Sequence, residues 1–140
     1  MNFKTGHYLS VRVLSQWYGI PIETVVEVHH LLLLTELPVS VPNVVGLMSL
    51  RDRVFPVFDL RLCFGLPNPP YNLNTPLVAL QTPTGLAAII VDEADTVENV
   101  SSEQLVNIEG NYPYVNGAAQ LSNRLLLLLD TALFAAEIGT

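Results

Sequence analysis

Three histidines, one cysteine and thirteen carboxylates are the groups with which this chain could do acid–base, nucleophilic or metal chemistry. Their spacing assembles none of these. His29 and His30 are adjacent, and neighbours on an extended strand point to opposite faces, so the two cannot hold one metal together. Cys63 stands alone, which removes a disulfide framework and a thiolate metal cage. Asp92-Glu93-Ala94-Asp95 is rich in oxygen ligands but lacks the spaced loop of an EF-hand. No GxSxG, HExxH, P-loop or GxGxxG occurs, and none of His7, His29 and His30 sits in a nucleophile–base pattern. The expectation is a chain with no catalytic residue, no metal and no cofactor.

Composition narrows the function classes further. Half of the 140 residues are apolar, 14% are charged and the net charge is −7. Nucleic-acid binding depends on clustered Lys and Arg, and here there are one Lys and five Arg, so no nucleic-acid partner is expected. Lys4, Arg12, Arg51, Arg53 and Arg61 balance five carboxylates in residues 1–70, whereas residues 71–140 set eight carboxylates against Arg124 alone. The acidic half can steer a basic partner or simply keep the chain soluble. The N-terminal MNFKTGHYLS has no apolar core of a signal peptide, and runs such as Leu125–Leu129 are too short to span a bilayer. A soluble, cytoplasmic protein without membrane insertion is expected.

The elements that must position these groups read mainly as short strands. Apolar and polar residues alternate from Tyr8 to Leu14, and Trp17–Ile22 and Val25–Val28 are rich in β-branched and aromatic residues. Val44–Leu50 and Val54–Leu60 form two further strands around Arg51-Asp52-Arg53. The uncharged, proline-rich Leu66–Pro76 reads as a loop between two lobes. Leu77–Thr82, Leu86–Val91, Val115–Leu121 and Arg124–Leu129 follow as strands, and Asp130 is placed to cap a closing helix over Thr131–Ile138, ended by Gly139. One domain of mainly β structure built as small barrels is expected, with lobes near residues 16–65 and 77–125 completed by the N-terminal strand and the C-terminal segment.

Several segments resemble the CheW-like family in order and spacing across nearly the whole chain. They are Tyr18-Gly19-Ile20-Pro21-Ile22, Glu27-Val28, and the run Gly46-Leu47-Met48-Ser49-Leu50-Arg51-Asp52-Arg53-Val54-Phe55-Pro56-Val57-Phe58-Asp59-Leu60-Arg61. Ile90-Val91-Asp92, Val115-Asn116-Gly117 and Leu128-Leu129-Asp130 continue the match. The resemblance implies two five-stranded, SH3-like barrels sharing a hydrophobic interface, with a groove between lobes for the tip of a receptor's helical hairpin. It also implies binding to the regulatory domain of a CheA-type histidine kinase, in flagellar chemotaxis, pilus-based motility or another chemosensory system. Two positions depart from the family pattern: Asp52 and Ala88 stand where the family has glycine. Asp visits positive φ more readily than most residues, so Asp52 can still make a tight turn, with an added negative charge beside Arg51 and Arg53.

By this resemblance, partner contact is expected at Val25, Glu27, Arg51, Asp52 and Arg53. Glu27 and Arg51 can meet as an ion pair, which as a bare surface pair is worth less than about 1 kcal/mol but at a groove edge fixes orientation and specificity. Val25 lies two residues before Glu27 and shares its strand face, where it serves either the core or a helix-binding surface. Gly46, Pro56, Asp59, Asp92 and Gly117 read as structural, since turns and bulges need the glycines and Pro56 cannot donate to a ladder. The leading function is a non-catalytic adaptor between chemoreceptors and kinase. The alternative is a small-molecule-binding β module without a kinase partner, against which the scarcity of convergent polar groups in apolar surroundings counts.

Overall fold

The computed structural model describes residues 5–30, 34–35, 41–67 and 70–136. The nine segments read as strands all form: β1 (Gly6–Val13), β2 (Gln16–Pro21), β3 (Val25–His30), β4 (Val44–Leu50), β5 (Arg53–Asp59), β6 (Pro76–Thr82), β7 (Gly85–Ile90), and, after β8 (Glu93–Val100) and the two-residue β9 (Leu105–Val106), which alternation did not mark, β10 (Val115–Gln120) and β11 (Leu125–Leu129). Two short α-helices, α1 (Leu60–Cys63) and α2 (Leu133–Ala136), and two 3-10 turns, Ile22–Thr24 and Ser102–Gln104, complete the described elements.

The strands form two sheets, ordered β8-β1-β2-β11-β10-β9 and β3-β6-β7-β5-β4. The second has the expected five strands; the first has six because β9 adds to β10. Most ladders are antiparallel, but each sheet holds one parallel pair, β2 with β11 and β5 with β7. Those parallel pairs change the division of the chain. Residues 25–90 build one sheet, while 6–21 return to pair with 93–129, so the sheets do not coincide with lobes at 16–65 and 77–125. Correspondingly, the proline-rich loop after α1 leads into β6 of the sheet it left and is not a boundary between lobes. Strand patterning specifies which residues face a core, not which distant strand they pair with.

Burial explains why the two sheets stay together. A shared core takes Leu9, Val11 and Ile20 from the six-stranded sheet and Phe58, Leu80 and Ile89 from the other. Each sheet also encloses a cluster of its own, one around Phe55, Val57 and Ile90 and one around Val100, Leu126 and Leu128. The closing helix is shorter than expected at its start, because Asp130 accepts from Ala132 N at 3.2 Å and a turn precedes Leu133. Ile138 and Gly139 lie outside the described residues. Its anchor is Phe134, fully buried, stacked on Tyr114 at 4.6 Å and edge-on to Phe58 at 5.4 Å.

A buried polar network ties the sheets at a second point. Asp59 ends β5 and caps α1: its Oδ1 accepts from the Arg61 backbone N–H at 2.9 Å and from Arg61 Nε at 3.0 Å. Its Oδ2 accepts from Arg61 Nη2 at 3.1 Å and from the Tyr71 hydroxyl. Arg61, with a side chain only 3% exposed, then donates through Nη1 to Asp92 Oδ1 at 2.9 Å. Asp92 completes the link to the other sheet, accepting from Leu14 N at 2.6 Å and donating its own N–H to Arg12 O at 2.8 Å. Burial works to lower the Arg61 pKa, but the Asp59 hydrogen bond and charge, with the charge of Asp92, hold it above its usual value, so the guanidinium stays ionised.

Two stability outcomes follow. Phe134→Ala is expected to cost about 3–5 kcal/mol in urea unfolding, the range for a buried aromatic truncated to Ala. Arg61→Met keeps volume but strands the Asp59 carboxylate without its cation, and is expected to cost about 3–5 kcal/mol. A loss below roughly 0.5 kcal/mol, the scale of an ordinary surface substitution, at either position contradicts this account.

Candidate functional site

The site forms where the two edges of the five-stranded sheet approach each other. β3 and β4 are its opposite edges, yet the chain just beyond β3 bridges back to β4: Thr35 N donates to Leu47 O at 2.9 Å, and Leu47 N to Thr35 O at 2.8 Å. Gly46 permits this approach, because a Cβ there would stand 2.9 Å from Thr35 O. The second link across the edges is ionic. Arg51 Nη2 stands 2.9 Å from Glu27 Oε1 and donates to Oε2 at 3.0 Å.

Arg51 and Asp52 are the two central residues of the β4–β5 hairpin, whose last pair is Leu50 with Arg53. Their φ values are +53° and +65°, the double positive φ of a type I′ turn. Asp52 therefore makes the tight turn expected of it in place of glycine. Arg51 also adopts a left-handed conformation, which costs on the order of 1 kcal/mol for such a residue and persists only where the surroundings hold it. The Arg51 side chain is nevertheless 70% exposed.

Along β3 burial alternates, so Val25, Glu27 and His29 are half-buried on one side while Val26 and Val28 face solvent, 40% and 50% exposed. Val25 packs against the shared core. The exposed apolar residues of β3, Val26 and Val28, thus lie on the face opposite Glu27. The ladder to β6 shifts register between Val25 and Glu27, which re-aims the strand at the site. His29 Nε2 contacts Glu27 Oε2 at 2.8 Å, a partner that the adjacency of His29 and His30 did not reveal. Arg53 turns to a different feature, a groove of about 310 Å³ that it lines with Val54, Pro56, Leu86 and Phe134.

The residues read as structural fall into separate places. Pro56 lies on β5 one residue before its parallel ladder with β7 begins at Val57. Gly117 follows a register shift in the β10–β11 hairpin, as Gly46 does in β4–β5. Asp59 and Asp92 belong to the network that joins the sheets. Asp92, Glu93 and Asp95 each engage an arginine: Arg61, Arg12 at 3.0 Å and Arg124 at 3.5 Å, respectively. Among the described residues no group of three or more His, Cys, Asp and Glu side chains converges on a metal position. Sequence reading also missed Arg124 lying 3.8 Å over the Trp17 ring, an interaction between hairpins that only the β2–β11 pairing brings about.

The comparisons with known proteins agree with this architecture. The family model described as CheW-like domain matches residues 7–138. The chain is 27% identical over 121 residues to the chemotaxis protein CheW of Klebsiella aerogenes, covering 83% of this chain and 73% of that protein. It is 27% identical over 132 residues to the chemotaxis protein CheW of Helicobacter pylori, covering 91% and 80%. The crystal structure of scaffolding protein TtCheW from Thermoanaerobacter tengcongensis superposes with a TM-score of 0.78 at 19% identity, covering 92% of this chain and 86% of that one, and so shares its fold. With the family model matching nearly the whole chain, the chain belongs to the CheW-like domain family.

Proposed function

We propose that this chain is a non-catalytic adaptor of chemosensory signalling that couples the cytoplasmic tips of chemoreceptors to the regulatory domain of a CheA-type histidine kinase. Its product is geometry: kinase and receptor held so that a change in one biases the other. It acts in the cytoplasm as a single domain, and its partner contacts include Val25, Glu27, Arg51, Asp52 and Arg53.

The observation that carries the reading is the Arg51–Asp52 turn. A mainly exposed arginine is held at positive φ and tied to a half-buried carboxylate on the opposite sheet edge. A surface ion pair contributes less than about 1 kcal/mol and does not by itself explain a strained turn. A charged tip held in one geometry does suit an interface, where a charge pair fixes register and specificity. Val25 contributes from beneath, by packing the strand on which Glu27 stands.

Arg51→Gly separates the two roles of this residue. Glycine accepts φ of +53° without strain, so the variant is expected to be as stable as the parent or more stable by up to about 1 kcal/mol in urea unfolding. Calorimetric titration against a CheA-type regulatory domain and against a receptor-tip helical hairpin should show at least one affinity reduced roughly threefold to tenfold, equivalent to about 0.7–1.4 kcal/mol. Unchanged affinity for both partners would remove the turn from the interface.

A further inference from the structure

Glu27 is held from two directions. Its Oε2 lies 2.8 Å from His29 Nε2 and 3.0 Å from Arg51 Nη2. An ionised carboxylate only accepts hydrogen bonds, so the hydrogen in the His29 contact sits on Nε2 and the imidazole is the donor. His29 lies two residues beyond Glu27 on the same side of β3, with its side chain 29% exposed. The neighbouring β6, Pro76–Thr82, carries no ionisable side chain, and the turn across the edge brings Arg51, Asp52 and Arg53.

This arrangement removes a weakness of the ion pair. A guanidinium that is 70% exposed gains little by pairing with a carboxylate that is free to rotate, because ordering both side chains offsets the attraction. A second donor on the same strand holds the same carboxylate oxygen that Arg51 meets and so restricts the Glu27 rotamer. Glu27 Oε1 is shielded from water and, although 2.9 Å from Arg51 Nη2, lacks a well-aligned hydrogen bond, so the aligned contacts that orient the carboxylate are those of His29 and Arg51 at Oε2.

We infer that His29 is the third member of the Glu27–Arg51 site, a positioning residue that fixes the Glu27 carboxylate so that Arg51 meets a partner in one geometry. The partner in this statement rests on the adaptor reading; the positioning does not.

The test therefore has two arms. In the free protein at pH 8, 15N NMR should find the His29 hydrogen on Nε2. His29→Leu should move the backbone amide signals of Arg51 and Asp52, while His29→Gln, whose amide nitrogen reaches the place of Nε2, should leave them near the parent positions. In the second arm the same variants are titrated calorimetrically with a CheA-type regulatory domain and a receptor-tip helical hairpin. His29→Leu should weaken whichever complex Arg51→Ala weakens, by about threefold to tenfold, and His29→Gln should restore it. Placed on Arg51→Ala, His29→Leu should add nothing. A hydrogen on Nδ1, unmoved turn signals, or a full additional loss in the double variant overturns the inference. If the parent protein binds neither partner, the adaptor reading falls and the NMR arm alone decides the role of His29.

Discussion

Arg61 is the point on which the two sheets depend for their mutual arrangement. One guanidinium is shared between Asp59, at the end of β5, and Asp92, beside the β1–β2 turn, and both carboxylates also hold backbone N–H groups. Apolar packing alone would hold the sheets together, but hydrophobic contact has no direction and tolerates sliding. The network adds direction. With Arg61 nearly buried, any shift of one sheet against the other leaves a charge without its partner in a poorly solvated place, a cost of several kcal/mol. For the adaptor role proposed above, such a constraint matters more than extra stability.

The proposed site shares no residue with that network. The hairpin tip projects from the sheet edge, and its positive φ values are held by the edge-to-edge links at Thr35–Leu47 and Glu27–Arg51. Rigid core and presented tip are thus joined through one strand. β3 carries Val25 into the shared core, Glu27 and His29 at the ion pair, and Val26 and Val28 on the open side. A contact made at Arg51 is in this way mechanically continuous with the interior.

How much of this was legible in the sequence differs from residue to residue. Most strand positions were readable because alternation is a local property, though not the polar β8, and so was the turn at Asp52, because Asp tolerates positive φ. The Glu27–Arg51 pair was accessible through family resemblance, since nothing local says that a residue of β3 meets the β4–β5 turn across the sheet's edges. The division of the chain between sheets was misjudged for the same reason: the parallel β2–β11 pairing joins Trp17 to Leu126 without any local mark. Asp59-Leu60-Arg61 did carry a signal, an Asp placed to cap a turn with an arginine two residues on, but its third member, Asp92, lies on the far side of the proline-rich loop. His29 was weighed as a metal ligand with His30 and set aside, whereas its partner was the carboxylate two residues earlier on its own face.

The central claim is that one copy of this chain can hold receptor and kinase together. Sedimentation of the parent protein with a CheA-type regulatory domain and a receptor-tip helical hairpin, singly and combined, tests it most directly. The account predicts a three-component species that neither partner forms with the other when this chain is left out. Mutually exclusive binding, or no binding of either partner, would contradict it.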